Sequence, residues 1–235
     1  MRNATDDVQN RTPRTQELFK ALRILDEVQK QGRVVPTSRK YAPPDGVVPI
    51  KDFEMAPHLE PTPDRPLLNL LTIGQNQLEA ILRATLQKYS CKVEFGHGLV
   101  SLVQDAGGVD ATILNQEGQE ETQRFDFLVG TDGARGAVQK QLGLSFLGES
   151  RPSIHFVVAD VHAEGIDADY WHMWEDLQAN KLFLRPTGTP TLFGLIMILS
   201  DYPVLNNDHD LLKKAVADIS GRVDFKILDV DWSTG

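Results

Sequence analysis

Asp132-Gly133 is the residue pair in this sequence best placed to meet a ligand. It stands in the run Asp126-Phe127-Leu128-Val129-Gly130-Thr131-Asp132-Gly133-Ala134-Arg135. The pattern predicts a strand over Phe125–Val129, apolar enough to be buried on both faces. A tight turn over Gly130–Gly133 follows, then a helix from about Ala134 to Leu142 that Gly143 stops. A helix starting there presents free N–H groups and the positive end of its dipole, a place that suits a pyrophosphate. Gly133 lets the backbone turn and approach a ligand closely, and Asp132 can accept hydrogen bonds from a sugar hydroxyl or from turn amides. As a bare pair, Asp-Gly is also a common turn with no ligand. The apolar stretch before it, the helix after it and the closing Leu142-Gly143-Leu144 set this one apart.

Other reactive side chains offer less. None of the six histidines, His58, His97, His155, His162, His172 and His209, pairs at helical metal spacing with a third ligand nearby. His172, between Trp171 and Met173, reads as a half-buried strand histidine, and Trp171 and Trp174 as core packing unless they line a pocket. The single cysteine, Cys91, precedes the strand-like Lys92–Phe95 and reads as a small core residue. There is no Gly-x-Ser-x-Gly elbow and no kinase or Walker signature.

The elements that must position these residues follow from periodicity and punctuation. Thr12-Pro13 caps and opens a helix in which Leu18, Phe19, Leu22, Leu25 and Val28 follow helical spacing up to Gly32; the first eleven residues look loose. Eight prolines between Arg33 and Pro66 predict an excursion of short extended pieces, with strands at Val47–Ile50 and around Phe53. A helix from about Gln75 to Tyr89 buries Leu78, Ile81, Leu82 and Leu86. Lys92–Phe95 reads as a strand, and Leu99–Gln104, Val109–Leu114 and Glu121–Arg124 as an antiparallel meander. Further strands are expected at Ile154–His162, Tyr170–Trp174, Lys181–Arg185, Thr191–Leu199 and Phe225–Trp232. Asn206 or Asn207 should cap a helix with its apolar face at Leu211, Leu212, Ala215, Val216 and Ile219.

Composition bounds the function. The 235 residues are 41% hydrophobic, enough to bury a substantial core. A net charge of −9 repels phosphate backbones and argues against a nucleic-acid partner. No apolar run approaches the roughly 20 residues of a membrane span, and no signal-peptide core opens the chain. One cysteine fits a reducing compartment, so a soluble, cytoplasmic protein is expected.

These residues reach a known family. Leu128-Val129-Gly130-Thr131-Asp132-Gly133-Ala134-Arg135 resembles the "DG" motif of group A flavin-dependent aromatic monooxygenases, the phenol hydroxylase-like and para-hydroxybenzoate hydroxylase-like enzymes. Pro13-Arg14-Thr15-Gln16-Glu17 is similar to that family's Arg-Thr-x-Glu helix near the flavin. Gln75-Asn76-Gln77-Leu78-Glu79 resembles its Gln-x-x-x-Glu helix, and Arg185-Pro186 its substrate-domain sheet. The resemblance implies an α/β fold: a partial Rossmann-like FAD-binding domain over 1–148, with a substrate-side excursion at about 33–66, interleaved with a mostly antiparallel substrate sheet over 149–235. It implies FAD, reduced by NAD(P)H, and hydroxylation of a phenolic ring with oxygen. Asp132, Gly133, Arg135, Gln75 and Arg14 would contact the cofactor; no residue is identified as a catalytic acid or base. A small aromatic substrate would be the main partner, and a homodimer is admitted.

The departures carry weight too. The family's opening Gly-x-Gly-x-x-Gly turn and its later Gly-Asp motif have no counterpart here, and within the DG motif a usual Ser is Gly136 and a usual Arg is Gln139. A truncated or incomplete gene product is therefore expected. A non-catalytic remnant that binds an aromatic ligand or a partner chain stands as the alternative reading. A flavin-independent NAD(P)-binding protein is a third, against which the absent glycine turn argues.

Overall fold

The computed structural model describes residues 8–43, 45–133, 136–145, 147–149, 153–200, 202–203, 205 and 208–234, with backbone alone at 8–10. In chain order the elements are β1 (Val8–Arg11), α1 (Pro13–Ala21), α2 (Leu25–Gln31), β2 (Arg33–Val34), β3 (Ser38–Tyr41), β4 (Pro49–Phe53), β5 (Leu71–Gly74) and α3 (Gln75–Gln87). Then come β6 (Gly98–Asp105), β7 (Gly108–Leu114), β8 (Glu120–Phe125), α4 (Ala137–Gln141), β9 (Ile154–Glu164), β10 (Trp171–Glu175), β11 (Lys181–Pro186), β12 (Leu192–Ser200), α5 (His209–Ser220) and β13 (Lys226–Thr234). The mixture is α/β, as expected. The chain divides into two compact units, one of residues 91–150 and one of residues 2–90 together with 151–235.

In the larger unit, a seven-stranded sheet runs in the order β13-β9-β12-β11-β10-β3-β4. Every neighbouring pair is antiparallel except β10 with β3. The proline-rich excursion thus supplies two strands to the sheet built by the C-terminal third. The alternation of β9, β11 and β12 aims Val157, Val161, Leu182, Leu184, Leu195 and Met197 at one face. There they form a core with Leu212, Ala215, Val216 and Ile219 of α5. The cap of α5 is Asp208, whose carboxylate accepts from the N–H groups of Asp210 and Leu211; Asn206 and Asn207 lie outside the described residues.

A second core in this unit joins α1, α2 and α3 to the small sheet β1-β5-β2. Two expectations are corrected here. The single early helix is two, because Arg23 takes a left-handed φ of 59° and closes α1. The break rotates Ile24 into the core and leaves Leu18 and Leu22 exposed, while Phe19, Leu25 and Val28 stay buried. Residues 8–11, expected to be loose, form β1, because the fully buried β5 needs a ladder on both edges. On α3, Leu78 and Ile81 are buried but Leu82 and Leu86 are partly open.

The smaller unit is the meander β6-β7-β8 with α4. Its three strands follow the sequence reading; two other predicted strands do not form. Pairing of β7 with β8 ends at Val109↔Phe125, where β7 itself begins its turn. Beyond Phe125 no described strand offers a ladder, so 126–131 is irregular, with Phe127 88% and Val129 81% exposed instead of buried. Lys92–Phe95 is likewise irregular and exposed, and Cys91 before it is exposed, not core. The helix expected from Ala134 starts at Ala137, with Ala134 and Arg135 outside the described residues; Gly143 follows it at φ 64°. Among the described residues no helix is long and apolar enough to cross a membrane.

Candidate functional site

Two places carry side chains that could serve a ligand. The first is the turn in the smaller unit. Gly133 adopts φ 81°, and among the described residues a side chain there would meet nothing within 4 Å. Gly130, Thr131 and Asp132 edge a groove of about 460 Å³ whose other walls include Leu99, Ile113 and Val138. Asp132 is turned toward its own helix: Oδ2 accepts from the Val138 N–H at 3.1 Å. That hydrogen bond, followed by those from its own and the Ala137 N–H, holds its carboxyl below the usual carboxylate range.

Gly136 makes this possible. It is the N-cap of α4 and has no side chain to satisfy the first amides. A Cβ on Gly136 would lie 2.1 Å from Asp132 Oδ1. The glycine therefore admits the carboxylate that caps the helix in its place.

The other residues expected at a cofactor do not join this turn in one unit. Arg14 and Gln75 belong to the larger unit. Arg14 is an exposed side chain paired with Glu17 at 2.7 Å. Gln75 opens α3 and donates to Glu79 Oε1 at 2.9 Å, while Glu79 Oε2 accepts from Arg83 at 3.2 Å. Arg135 lies outside the described residues. For a flavin the turn suits an edge of a binding site: no described residue crowds Gly133, although the turn's carboxylate already serves α4.

The second place is the face of the seven-stranded sheet opposite α5. Side chains that alternate with the core positions of β10, β11 and β12 meet there. Register sets Met173 beside Phe183 and Phe183 beside Ile196, so one apolar row crosses three strands. With Trp171, Arg185 and Ile198 they line a pocket of about 300 Å³, and Met55 stands at its edge. The Arg185 guanidinium lies 5.6 Å from the centre of the Trp171 ring.

His172 touches this pocket but its ring is committed elsewhere. It stacks at 5.7 Å on both Tyr41 and Trp174, and is 1% exposed rather than half-buried. Nε2 lies 2.6 Å from the Asp167 carbonyl, which can only accept, so Nε2 donates. Nδ1, 2.8 Å from the Tyr41 hydroxyl, then accepts from it. Burial, the main cause, pushes the imidazole pKa below its ordinary value and keeps it neutral; the Arg222 and Arg39 charges act the same way, against the Asp167 carbonyl. Trp174 is core, donating to the Gly46 carbonyl at 3.0 Å, and Trp171 is the tryptophan that lines the pocket. Sequence reasoning did not single out Met173, Phe183, Ile196 or Ile198. Their signal was present as strands apolar at successive positions, which fits a sheet with two apolar faces.

Known proteins share this architecture. The FAD binding domain family matches residues 9–203. A flavin-dependent monooxygenase of Mycobacteroides abscessus is 30% identical over 226 residues, 94% of this chain and 47% of that protein. A 3-(3-hydroxy-phenyl)propionate/3-hydroxycinnamic acid hydroxylase of Comamonas testosteroni is 33% identical over 105 residues, 44% of this chain and 18% of the relative. Among solved structures, the flavin-dependent monooxygenase PieE, in complex with FAD and substrate, superposes with a TM-score of 0.73 at 22% identity, covering 98% of this chain and 43% of its own. The p-nitrophenol 4-monooxygenase PnpA of Pseudomonas putida does so with 0.75 at 16% identity, covering 98% and 57%. The chain thus spans about half the length of the relatives that it matches along most of its length.

Proposed function

The chain belongs to the FAD binding domain family, of the flavin-dependent aromatic monooxygenase type, and from that premise we propose that it serves in an FAD- and NAD(P)H-dependent hydroxylation of phenolic rings, with parts of both the cofactor side and the substrate side. The observation that carries the reading is the apolar pocket on the open face of β10, β11 and β12. Its walls desolvate a flat ring, and the strands beneath it are anchored by the α5 core, so the ring is held on a rigid support. FAD, when bound, supplies the activation of oxygen after reduction by NAD(P)H. This chain's residues bind and orient the ring and keep water from it. Gly133 would meet the cofactor through its backbone, with Asp132 fixing the turn and Gln75, Arg14 and Arg135 as further contacts. Residues 1–148 are assigned to the cofactor side, with the excursion at about 33–66, and 149–235 to the substrate side. A cytoplasmic setting goes with this reading, and the net charge of −9 argues against a nucleic-acid partner.

A second reading has its own support. The exposed Phe127 and Val129 and the inward Asp132 suit a binding module of the same fold without redox activity. One experiment separates the two: incubate the purified chain with FAD, remove free flavin, and record the visible spectrum and NAD(P)H oxidation with and without phenols. Retained flavin with phenol-stimulated oxidation is expected from the hydroxylase. A folded chain that retains no flavin at high FAD would sink that reading.

A further inference from the structure

Another pocket, of about 250 Å³, lies on the α5 side of the seven-stranded sheet, where α5 meets the edge strand β13. Val216, Phe225 and Ile227 give it apolar walls. Its charged groups are Lys213, Arg222 and Lys226, with no carboxylate among the described residues that line it. The chain carries 33 acidic residues against 24 basic, so such a wall departs from its surface at large. The three cations are not equivalent. Arg222 is neutralised: Nε and Nη2 donate to the two carboxylate oxygens of Asp224 at 2.7 and 2.6 Å. Lys213 Nζ donates to the Leu228 carbonyl at 3.0 Å, which ties α5 to β13 and leaves two of its three N–H groups for a ligand. Lys226 is exposed, and among the described residues neither lysine pairs with a carboxylate. The α5 carbonyls at this wall do not compete with an anion. That of Val216 accepts from the Ser220 hydroxyl at 2.6 Å, and that of Ala217 from the Gly221 N–H at 2.9 Å. Two surplus positive charges thus flank an apolar recess.

We propose that this pocket binds small amphipathic anions, carboxylates on a short or medium alkyl body, with Lys213 and Lys226 holding the anionic head and Val216, Phe225 and Ile227 the alkyl chain. The inference stands apart from the ring-binding reading, which concerns the opposite face of the sheet. An inorganic anion would leave the apolar walls unused, and a neutral lipid would leave both ammonium groups without an acceptor. An amphipathic anion meets both demands at once. The volume of about 250 Å³ falls below that of pockets for drug-sized ligands, which sets the alkyl body at a short or medium chain.

The test is calorimetric binding of octanoate and of its neutral counterpart octanamide to the full chain. Octanoate is expected to bind about fivefold tighter or better, the scale of two partly exposed charge contacts, and the margin should shrink at high salt. Lys213→Met combined with Lys226→Met, which keeps the apolar bulk, should abolish that preference. Lys226→Met alone should reduce it by about twofold, and Lys226→Arg, with the charge retained, should preserve it. Ala217→Trp, at an exposed position of α5 on the pocket wall, should fill the recess and weaken both ligands by about tenfold or more. Far-ultraviolet circular dichroism verifies the fold of each variant. Equal affinity of the two ligands for the wild type, or a preference that survives the double methionine variant, overturns recognition of the anion by these lysines. Octanoate binding that Ala217→Trp leaves unchanged places the ligand elsewhere and overturns the site. Failure of octanoate to bind the folded wild type overturns the proposal outright.

Discussion

Tyr41→Phe removes one oxygen and little else. The hydroxyl lies 2.8 Å from His172 Nδ1, between a tyrosine 4% and a histidine 1% exposed. The ring remains, so its stacking on Trp174 at 4.8 Å and 7° is retained and no sizeable cavity opens. What is lost is the donor to a buried acceptor, worth about 1–3 kcal/mol when the partner is left unsatisfied. For a chain of this size that lowers Tm by roughly 2–4 °C for each kcal/mol. The pH dependence has a definite sign. Burial depresses the folded pKa of His172 below the ordinary 6.5. Below 6.5 the unfolded chain therefore binds a proton that the folded chain refuses, and stability falls with pH until the depressed pKa is reached. Above 6.5 this contribution is fully present. Urea unfolding followed by tryptophan fluorescence suits the measurement, because Trp171, Trp174 and Trp232 all belong to the larger unit. The expected results are a loss of about 1–3 kcal/mol in Tyr41→Phe at pH 8, and a wild-type stability that declines from pH 7 to pH 5.5 with a slope that His172→Gln flattens. A Tyr41→Phe loss below about 0.5 kcal/mol would refute the claim that this hydrogen bond satisfies a buried group.

Two further perturbations test the local geometry. Gly46 has φ 53° and a Cβ there would lie 1.8 Å from the Ser220 carbonyl, so Gly46→Ala should cost about 3 kcal/mol or more, read by the same fluorescence assay. Gly136→Ser should displace the Asp132 carboxylate and let the serine hydroxyl cap α4; carbon-13 titration of the carboxyl should then find the Asp132 pKa back toward its ordinary value. An unchanged low pKa in that variant would mean that Gly136 does not gate the cap.

The strands β9 to β13 of the seven-stranded sheet and the meander were legible because their sequence runs are apolar or alternating between turn residues, whereas β3 (Ser38–Tyr41), short and polar, was not. The α5 face was legible for the same reason at helical period. Thr12 as a cap and Gly32 as a stop also follow from local chemistry, since each acts on amides within one turn of itself. The break at Arg23 was not legible, because a left-handed arginine is held by the burial of Ile24 rather than by its own preference.

Asp132-Gly133, Arg14 and Gln75 are recognisable in the sequence by residue type and spacing, and these, with the FAD family itself, are what the sequence by itself determines. Arg14 and Gln75 turn to Glu17 and Glu79, one helical turn away, whereas the direction of Asp132 is decided by an absent Cβ. Asp132 faces α4 because Gly136 has no side chain. Lys92–Phe95 and 126–129 have strand composition but no ladder among the described residues, and a strand is a property of a pair. His172 is kept neutral by burial, and its ring is fixed in part by Tyr41, 131 positions away, which reaches it across the parallel β10–β3 pair. The pocket exists only where three strands, read from 171 to 198, lay alternate side chains in one row. Periodicity says that a side chain will leave a strand on one face; only the register of its neighbours says what it will meet there.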